Sequence, residues 1–190
     1  SMHTGLEEED PAKLAAIFAR RAQGDVGLMI TGGFATSETA VLWPGAGRMT
    51  SEADALRHRT VTDAVHAAGG KIAIQLLHAG RQAYNVNMVS ASAKQSPIFP
   101  FTPRALTAEE IEQEIDGFAN AAGYAKMAGY DGVEVMGSEG YLLNQFLTER
   151  GNERTDEWGG TFEKRMRFPL EVVRRIRAKV GAEFIIVYRM

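Results

Sequence analysis

The sequence predicts an α/β fold in which parallel strands alternate with helices, forming about half of a (β/α)8 TIM barrel. The first observation is a set of four nearly continuous apolar runs: Val26–Thr31, Lys71–Leu76, Asp131–Met136 and Phe184–Arg189. Such runs are typical of parallel strands that are covered on both faces. The second observation is that helical patterns separate them. The 190 residues are fewer than the ~250 of a usual complete barrel. A doubly wound sheet is the alternative, although no Gly-x-Gly-x-x-Gly motif follows any run.

The first two helices have recognisable ends. The pattern over Ala12–Gln23 begins behind Pro11, a residue suited to a first helical turn. Ser51 is a suitable N-cap for a second helix that ends before the glycine pair at 69–70. We expect this helix to direct one apolar set inward, namely Leu56, Val61, Ala64 and Val65.

The later helices are equally well marked. Thr107 and Glu110 form a capping-box pattern that opens a helix ending near Gly129. The last helix is predicted from about Phe162 to Val180. Pro169 lies inside it and predicts a kink or a fresh helical start.

The connections between these elements differ strongly in length. The segments that follow the strands are long, at Thr31–Thr50, Leu77–Leu106 and Gly137–Gly160, whereas the returns to the next strand are short. In a barrel all three long segments gather at the carboxyl ends of the strands, where active sites lie. Long loops without regular structure are usually functional.

Composition excludes several classes of protein. The net charge of −3 argues against nucleic acid as a main partner. No apolar run approaches the roughly 20 residues of a membrane span, so no membrane partner is expected. The absence of cysteine excludes disulfides and Cys-ligated metals or clusters in these residues. Without a recognisable signal peptide the expected location is cytoplasmic. Ser1-Met2 and the strand pattern running up to Met190 lead us to expect a partial domain over residues 1–190, truncated at both ends.

The stretch from Asp131 to Leu147 is the most informative about function. It opens as an apolar strand and then places polar groups, including Tyr141, where the chain leaves that strand. A phenol at this position is a candidate proton donor aimed into a cleft. An aromatic side chain packed under the loop is the alternative.

Three segments together resemble a known family. They are Gln75–Arg81, Gly140–Leu147 and Asn152–Gly160, the last followed by Lys164–Phe168. In order, spacing and placement they resemble the old yellow enzyme family of FMN-dependent ene-reductases. The resemblance covers essentially the whole chain and implies a TIM-barrel flavoenzyme.

Within that family, residues 1–5 and 134–141 are most similar to the bacterial 2,4-dienoyl-CoA reductase branch. Family members usually carry two polar residues, His with His or Asn, that hold a substrate carbonyl; this chain has Met136 and Glu139 there. Met136 cannot donate a hydrogen bond, and an ionised Glu139 repels a developing enolate oxygen. The departure favours a substrate held in another way, such as an acyl-CoA thioester.

The resemblance implies a set of cofactor-binding residues, namely Ser1, Met2, His3, Gly33, Gln75 and Arg189. Gln75 is expected at the pyrimidine edge of FMN, and Arg189 at flavin N1 and O2. Gly33 matches a position of close approach, and Ser1, Met2 and His3 a backbone segment against the flavin. Without the resemblance, Gln75 is better interpreted as a loop cap, and Arg189 equally well as the partner of a carboxylate at the rim.

The resemblance also implies catalytic and substrate roles. Tyr141 is expected to protonate the substrate on the face opposite to the hydride from flavin N5, and Arg150 to contact the substrate. A solvated loop cation is the alternative for Arg150. His78 and Arg81 are expected to support the loop, and no grouping of His, Asp and Glu suggests a metal site.

The resemblance implies FMN-dependent reduction of an activated C=C bond, with a 2,4-dienoyl-CoA of fatty acid β-oxidation as the expected substrate. The resembling enzymes also carry FAD, a 4Fe-4S cluster and an NADPH-binding module, none of which is encoded here. The loops after strands seven and eight, which usually bind phosphate in a barrel, are also absent, so we expect the chain alone to bind FMN weakly or not at all and to be inactive. An enoate reductase, an amine dehydrogenase and a non-catalytic truncated barrel are the alternatives. Two unpaired sheet edges predict self-association.

Overall fold

The computed structural model describes residues 4–7 and 10–190, and the sequence-predicted strands all appear in it. In chain order the strands are β1 (Met29–Ala35), β2 (Ile72–Leu77), β3 (Val89–Ser90), β4 (Arg104–Ala105), β5 (Gly132–Met136) and β6 (Ile185–Arg189). The helices are α1 (Pro11–Ala22), α2 (Glu52–Ala67), α3 (Ala108–Met127), α4 (Leu142–Leu147) and α5 (Phe162–Val180).

The main sheet has four parallel strands in the order β1-β2-β5-β6, which is also their order along the chain. Helices α2, α3 and α5 connect successive strands of this sheet. β2 and β5 are buried along their whole length. This arrangement confirms the predicted α/β fold and is that of consecutive units of a (β/α)8 barrel. The short strands β3 and β4 form a separate parallel pair within the long segment after β2.

β1 differs from the prediction at both ends. It was expected at Val26–Thr31 but runs from Met29 to Ala35, so the glycine pair 32–33 lies inside the strand. The ladder pairs Ile30 with Ala73 and then Gly33 with Gln75, so β1 carries one extra residue. This is a β-bulge, a feature that often re-aims residues beside active sites. The hydroxyl of Thr31, at the bulge, accepts the backbone N–H of Gln75 at 3.1 Å.

The helix caps confirm the predicted starts. Ser51 accepts the backbone N–H of Asp54, and Thr107 and Glu110 form the full capping box. Leu56 was expected to point inward, which is wrong, since it is 58% exposed. Val61 and Val65 are buried as predicted, and α2 also buries Ala55, His58 and Thr62. α5 continues through Pro169 without a fresh start.

The two outer strands of the sheet form its edges. Among the described residues β1 and β6 each pair with only one other strand of this sheet, and all of β6 is half-buried. The predicted pair of unpaired edges is therefore present in this part of the chain. No helix within residues 4–7 and 10–190 is long and apolar enough to cross a membrane.

Candidate functional site

A cavity of about 310 Å³ opens at the carboxyl ends of the four main strands. Its walls come from all four strands and from the segments that follow β1 and β5. The lining residues are Gly32, Gly33, Ala35, Leu42, Trp43, Ala46, Gly47, Gln75, Leu77, Met136, Glu139, Tyr141 and Arg189. In parallel α/β folds this is the end of the sheet at which ligands bind.

A row of three residues, two of them polar, crosses the sheet at this cavity. Gly33, Gln75 and Glu134 occupy matching positions on β1, β2 and β5. Gln75 and Glu134 are both buried, and the Gln75 Nε2 donates to Glu134 Oε1 at 2.5 Å. The amide is thus held at the cavity wall instead of turning into solvent.

Gly33 leaves no room for a side chain. A Cβ built there would lie 2.7 Å from Leu77 Cδ1, 2.9 Å from Leu77 Cβ and 3.1 Å from Gln75 Oε1. Real Cβ atoms essentially never lie as close as the two distances to Leu77, so a larger residue would displace the neighbouring cavity wall. Gly33 is therefore closely approached by Leu77 and Gln75 of the chain itself, and its predicted role at the flavin stays a prediction.

Tyr141 lies at the N-cap position of α4 and is half-buried at the cavity wall. Its backbone N–H donates to the Ser138 carbonyl at 3.3 Å, which closes the turn between β5 and α4. Burial raises the pKa of the Tyr141 phenol, and the negative charge of Glu139 raises it further. The phenol therefore stays protonated at neutral pH and is available as a donor.

Gln145 holds the Tyr141 turn against the segment after β2. Its buried amide donates to the Gly140 carbonyl at 2.7 Å and to the Ala79 carbonyl at 3.3 Å. Its oxygen accepts from the Ser90 hydroxyl at 2.8 Å and from the Arg81 backbone N–H at 3.1 Å. Because both ends of the amide are occupied, Gln145 ties the Tyr141 turn to Ala79, Arg81 and Ser90.

Arg189 and Glu139 form an ion pair at the cavity. Arg189 Nε and Nη2 donate to Glu139 Oε1 at 3.1 and 2.7 Å. Glu139 has a φ of 60°, a left-handed conformation that is uncommon for a residue with a side chain. The hydrogen bonds and charge of Glu139 raise the pKa of Arg189, so its guanidinium remains a cation. Arg189 thus lines the cavity and pairs with a carboxylate, the alternative given for it, and its contact with flavin stays a prediction.

His78 lies behind the cavity wall and is fully buried. Its Nδ1 accepts from the Gly80 backbone N–H at 3.1 Å, and its Nε2 lies 3.3 Å from Glu114 Oε2 on α3. Burial opposes ionisation of Glu114, but contacts with His78 and the Thr39 hydroxyl outweigh it and lower the pKa of the carboxyl. These contacts support the predicted role of His78 in loop architecture.

The long segment after α4 is anchored by Arg154. Its guanidinium donates to Asp156 and also to the backbone carbonyls of Ala91 and Leu106, at 3.1 and 2.6 Å. Trp158 is buried, and the Arg167 guanidinium lies 4.9 Å above its ring. The segment is therefore tied to the residues that directly follow β3 and β4.

The structure brings together four of the predicted site residues: Gly33, Gln75, Tyr141 and Arg189. Arg150 is exposed beyond α4 and does not line the cavity. Ser1, Met2 and His3 lie outside the described residues. Within the described ranges, no group of three His, Cys, Asp or Glu side chains is placed to hold a metal ion.

Sequence reasoning missed several residues of the site. Glu134 and Gln145 were quoted within family motifs but received no role, and the wall formed by Leu42, Trp43 and Ala46 was not anticipated. For Glu134 a signal was available, since a carboxylate stands in the middle of an otherwise apolar strand. Leu42 and Trp43 lie in an irregular segment whose path no local pattern predicts.

Comparison with known proteins identifies the family. The sequence matches the NADH:flavin oxidoreductase / NADH oxidase family over residues 1–190. The chain belongs to this family. It is 37% identical over 202 residues to an NADH oxidase of Thermoanaerobacter brockii, an alignment that covers 99% of this chain and 30% of that enzyme.

Solved structures agree. The old yellow enzyme homologue from Zymomonas mobilis is 34% identical, with a TM-score of 0.86 over 93% of this chain and 52% of that one. A 2-naphthoyl-CoA reductase in complex with 2-naphthoyl-CoA is 30% identical, with a TM-score of 0.88 over 95% of this chain and 30% of that one. The chain thus spans about half or less of the length of these relatives. The predicted old yellow enzyme family and partial TIM barrel are confirmed.

The flavoprotein family implies FMN, and the cavity fits part of it. An amide, a guanidinium and a glycine without a side chain line one wall, which suits the hydrogen-bonding pyrimidine edge of an isoalloxazine ring. The phosphate site of TIM barrels is frequently built from the loops after strands seven and eight. The four main strands described here carry groups suited to the ring of FMN.

Proposed function

We propose that this chain contributes the substrate and flavin-ring side of an FMN-dependent ene-reductase acting on a 2,4-dienoyl-CoA thioester. One observation carries the proposal: the Tyr141 phenol lines the same cavity as the Gln75 amide and the Arg189 guanidinium. A proton donor thereby shares a pocket with groups suited to the polar edge of a flavin.

Reduction of a C=C bond requires a hydride and a proton delivered to different carbons. FMN, when bound, supplies the hydride. Tyr141 supplies the proton: burial and Glu139 raise its pKa, so the acid form dominates at neutral pH. Gln145 holds the Tyr141 turn in place, which limits the motion of the donor.

Arg189 provides a fixed positive charge beside the site. A cation near a ring that gains negative charge on reduction stabilises the reduced form. The ion pair with Glu139 holds the guanidinium in position and partly offsets its charge. It also neutralises the carboxylate that would otherwise repel negative charge developing on a substrate.

The side chains around Tyr141 support a thioester as the substrate class. Met136 and Glu139 line the cavity where donors to a simple enone carbonyl would be expected, and neither is such a donor. Arg150, which makes no hydrogen bond or ion pair with the described residues, is exposed beyond α4. A free cation outside the pocket suits the phosphates of coenzyme A. The CoA ester bound by the 2-naphthoyl-CoA reductase supports the same class.

The test is Tyr141→Phe in the full gene product, with the two half-reactions followed separately by stopped flow. Flavin reduction by NADPH should stay within about twofold of the wild type. Flavin reoxidation by 2,4-hexadienoyl-CoA should slow by about 100-fold or more, since a positioned acid contributes 10²–10⁴-fold. Tyr124→Phe is the matched control, because Tyr124 lies on α3 away from the cavity.

Equal reoxidation rates for wild type and Tyr141→Phe would refute the proton-donor role. A parallel substrate series separates the related functions. Turnover of 2-cyclohexenone in preference to the dienoyl thioester would reject the substrate class, and turnover of sarcosine alone would indicate an amine dehydrogenase.

A further inference from the structure

Glu134 is a buried carboxylate for which the proposed mechanism has no use. It is 4% exposed, lies within the fully buried strand β5, and accepts the Gln75 amide at 2.5 Å. We propose that Glu134 is a positioning residue that fixes which end of the Gln75 amide faces each side of the cavity. As far as the ligand is FMN, this inference rests on the proposed function.

The orientation follows from the chemistry of the two groups. An ionised carboxylate only accepts hydrogen bonds, whereas an amide donates at one end and accepts at the other. The NH2 end of Gln75 must therefore face Glu134, and its Oε1 faces β1. The position of Gly33 agrees, because a Cβ there would lie 3.1 Å from Gln75 Oε1.

The backbone of Gln75 is held as well. Its N–H donates to the Thr31 hydroxyl at 3.1 Å, and that hydroxyl in turn donates to the Gly32 carbonyl at 2.7 Å. Thr31 and Gly32 form the β-bulge that brings Gly33 level with Gln75. The amide is thus fixed at its backbone by β1 and at its NH2 end by β5.

A neutral residue at position 134 would avoid the cost of burying a charge. Because a carboxylate only accepts hydrogen bonds, it permits only one orientation of the Gln75 amide, whereas a neutral amide at position 134 would permit both. The negative charge of Glu134 also acts on Arg189, where it adds to the larger effect of Glu139 in raising the pKa. Glu134 thus influences both polar groups at this wall.

The fixed orientation selects the ligand edge that can bind. With Oε1 toward β1, Gln75 offers an acceptor on that side and its second N–H beside it. The pyrimidine edge of a flavin carries an N–H donor flanked by carbonyl acceptors, which complements this arrangement. A reversed amide would oppose donor to donor and acceptor to acceptor.

The first test needs no flavin. In the 190-residue chain, the side-chain amide protons of Gln75 are observed by ¹H–¹⁵N NMR and assigned by their loss in Gln75→Ala. A charge-assisted hydrogen bond to a carboxylate should shift one proton downfield. Glu134→Gln should move it upfield, and Glu134→Asp, which keeps an acceptor-only group, should retain most of the shift. Glu114→Gln, a matched change at a buried carboxylate away from the cavity, should leave it in place.

The second test measures FMN affinity in the full gene product by fluorescence quenching. Loss of the fixed orientation should weaken binding about fivefold in Glu134→Gln, the size of one net hydrogen bond. In the Gln75→Ala background the same change should have a clearly smaller effect, because only the weaker influence of Glu134 on Arg189 remains.

The outcomes are distinguishable. An unmoved Gln75 resonance in Glu134→Gln, or additive effects of the two substitutions on FMN affinity, would overturn the positioning role. A wild-type gene product that shows the shifted resonance but binds no FMN would reject the proposed function and leave Glu134 as the residue that orients the amide.

Discussion

Acidification should destabilise this protein through one buried histidine, His58. His58 lies on α2 and is 8% exposed. Its Nδ1 lies 2.7 Å from the Tyr130 hydroxyl, and its ring packs edge-on against Phe34, with centroids 4.7 Å apart. Phe34 directly follows Gly33 in β1, and Tyr130 precedes β5, so His58 joins a helix to two strands of the site.

The magnitude follows from the pKa of His58. Burial lowers it from 6.5 to about 4; the charge of Arg57 adds to this, and that of Asp54 opposes it. Between these values the unfolded chain binds a proton at His58 that the native protein does not, so stability falls as the pH falls. Each unit is about 1.4 kcal/mol, so the loss between pH 7 and pH 4 is roughly 3 kcal/mol.

The assay is urea unfolding of the wild type and of His58→Gln at pH 7, 6, 5 and 4. Gln still offers a hydrogen bond to Tyr130 but does not titrate in this range. Both proteins share the carboxylates that lose their charge in acid, including Asp131. Burial raises the pKa of Asp131, but its hydrogen bonds with His66 and Ile72 outweigh this effect and lower the pKa. The difference between the two free energies of unfolding therefore isolates His58.

The wild type should lose roughly 3 kcal/mol more than His58→Gln across this range. A parallel decline of the two curves would refute the reasoning, since it would mean that the native protein takes up the proton at His58 as readily as the unfolded chain.

Further predictions concern the site, the long loop and the sheet edges. Gly33→Val should destabilise the fold by about 1–3 kcal/mol in urea unfolding through overlap with Leu77, and a fully stable variant would contradict that close contact. Arg154→Met should cost about 2 kcal/mol and should speed proteolysis of the 148–161 segment, because two backbone carbonyls lose their donor. The 190-residue chain alone should quench FMN fluorescence weakly, and tight stoichiometric quenching would show that the ring site suffices. Size-exclusion chromatography should show association that increases with concentration through β1 and β6, whereas a monomer at all concentrations would contradict it.

Much of the fold and part of the site follow from the sequence alone. The caps at Ser51 and Thr107 involve residues three positions apart, and the four strands are marked by short apolar runs. Such signals are local, so they can be recognised in the sequence without knowledge of the fold. Tyr141 at the end of a strand was predictable for the same reason, because parallel strands direct their carboxyl ends to one side.

The tertiary structure alone decided how the polar groups of the site are paired. Gln75 meets Glu134 across 59 positions of sequence, and Arg189 meets Glu139 across 50. The first contact depends on the register of β2 against β5, and the bulge in β1 separately brings Gly33 level with Gln75. Since a one-residue change in register moves each side chain to the opposite face of a strand, no local pattern could specify which acceptor each donor would reach.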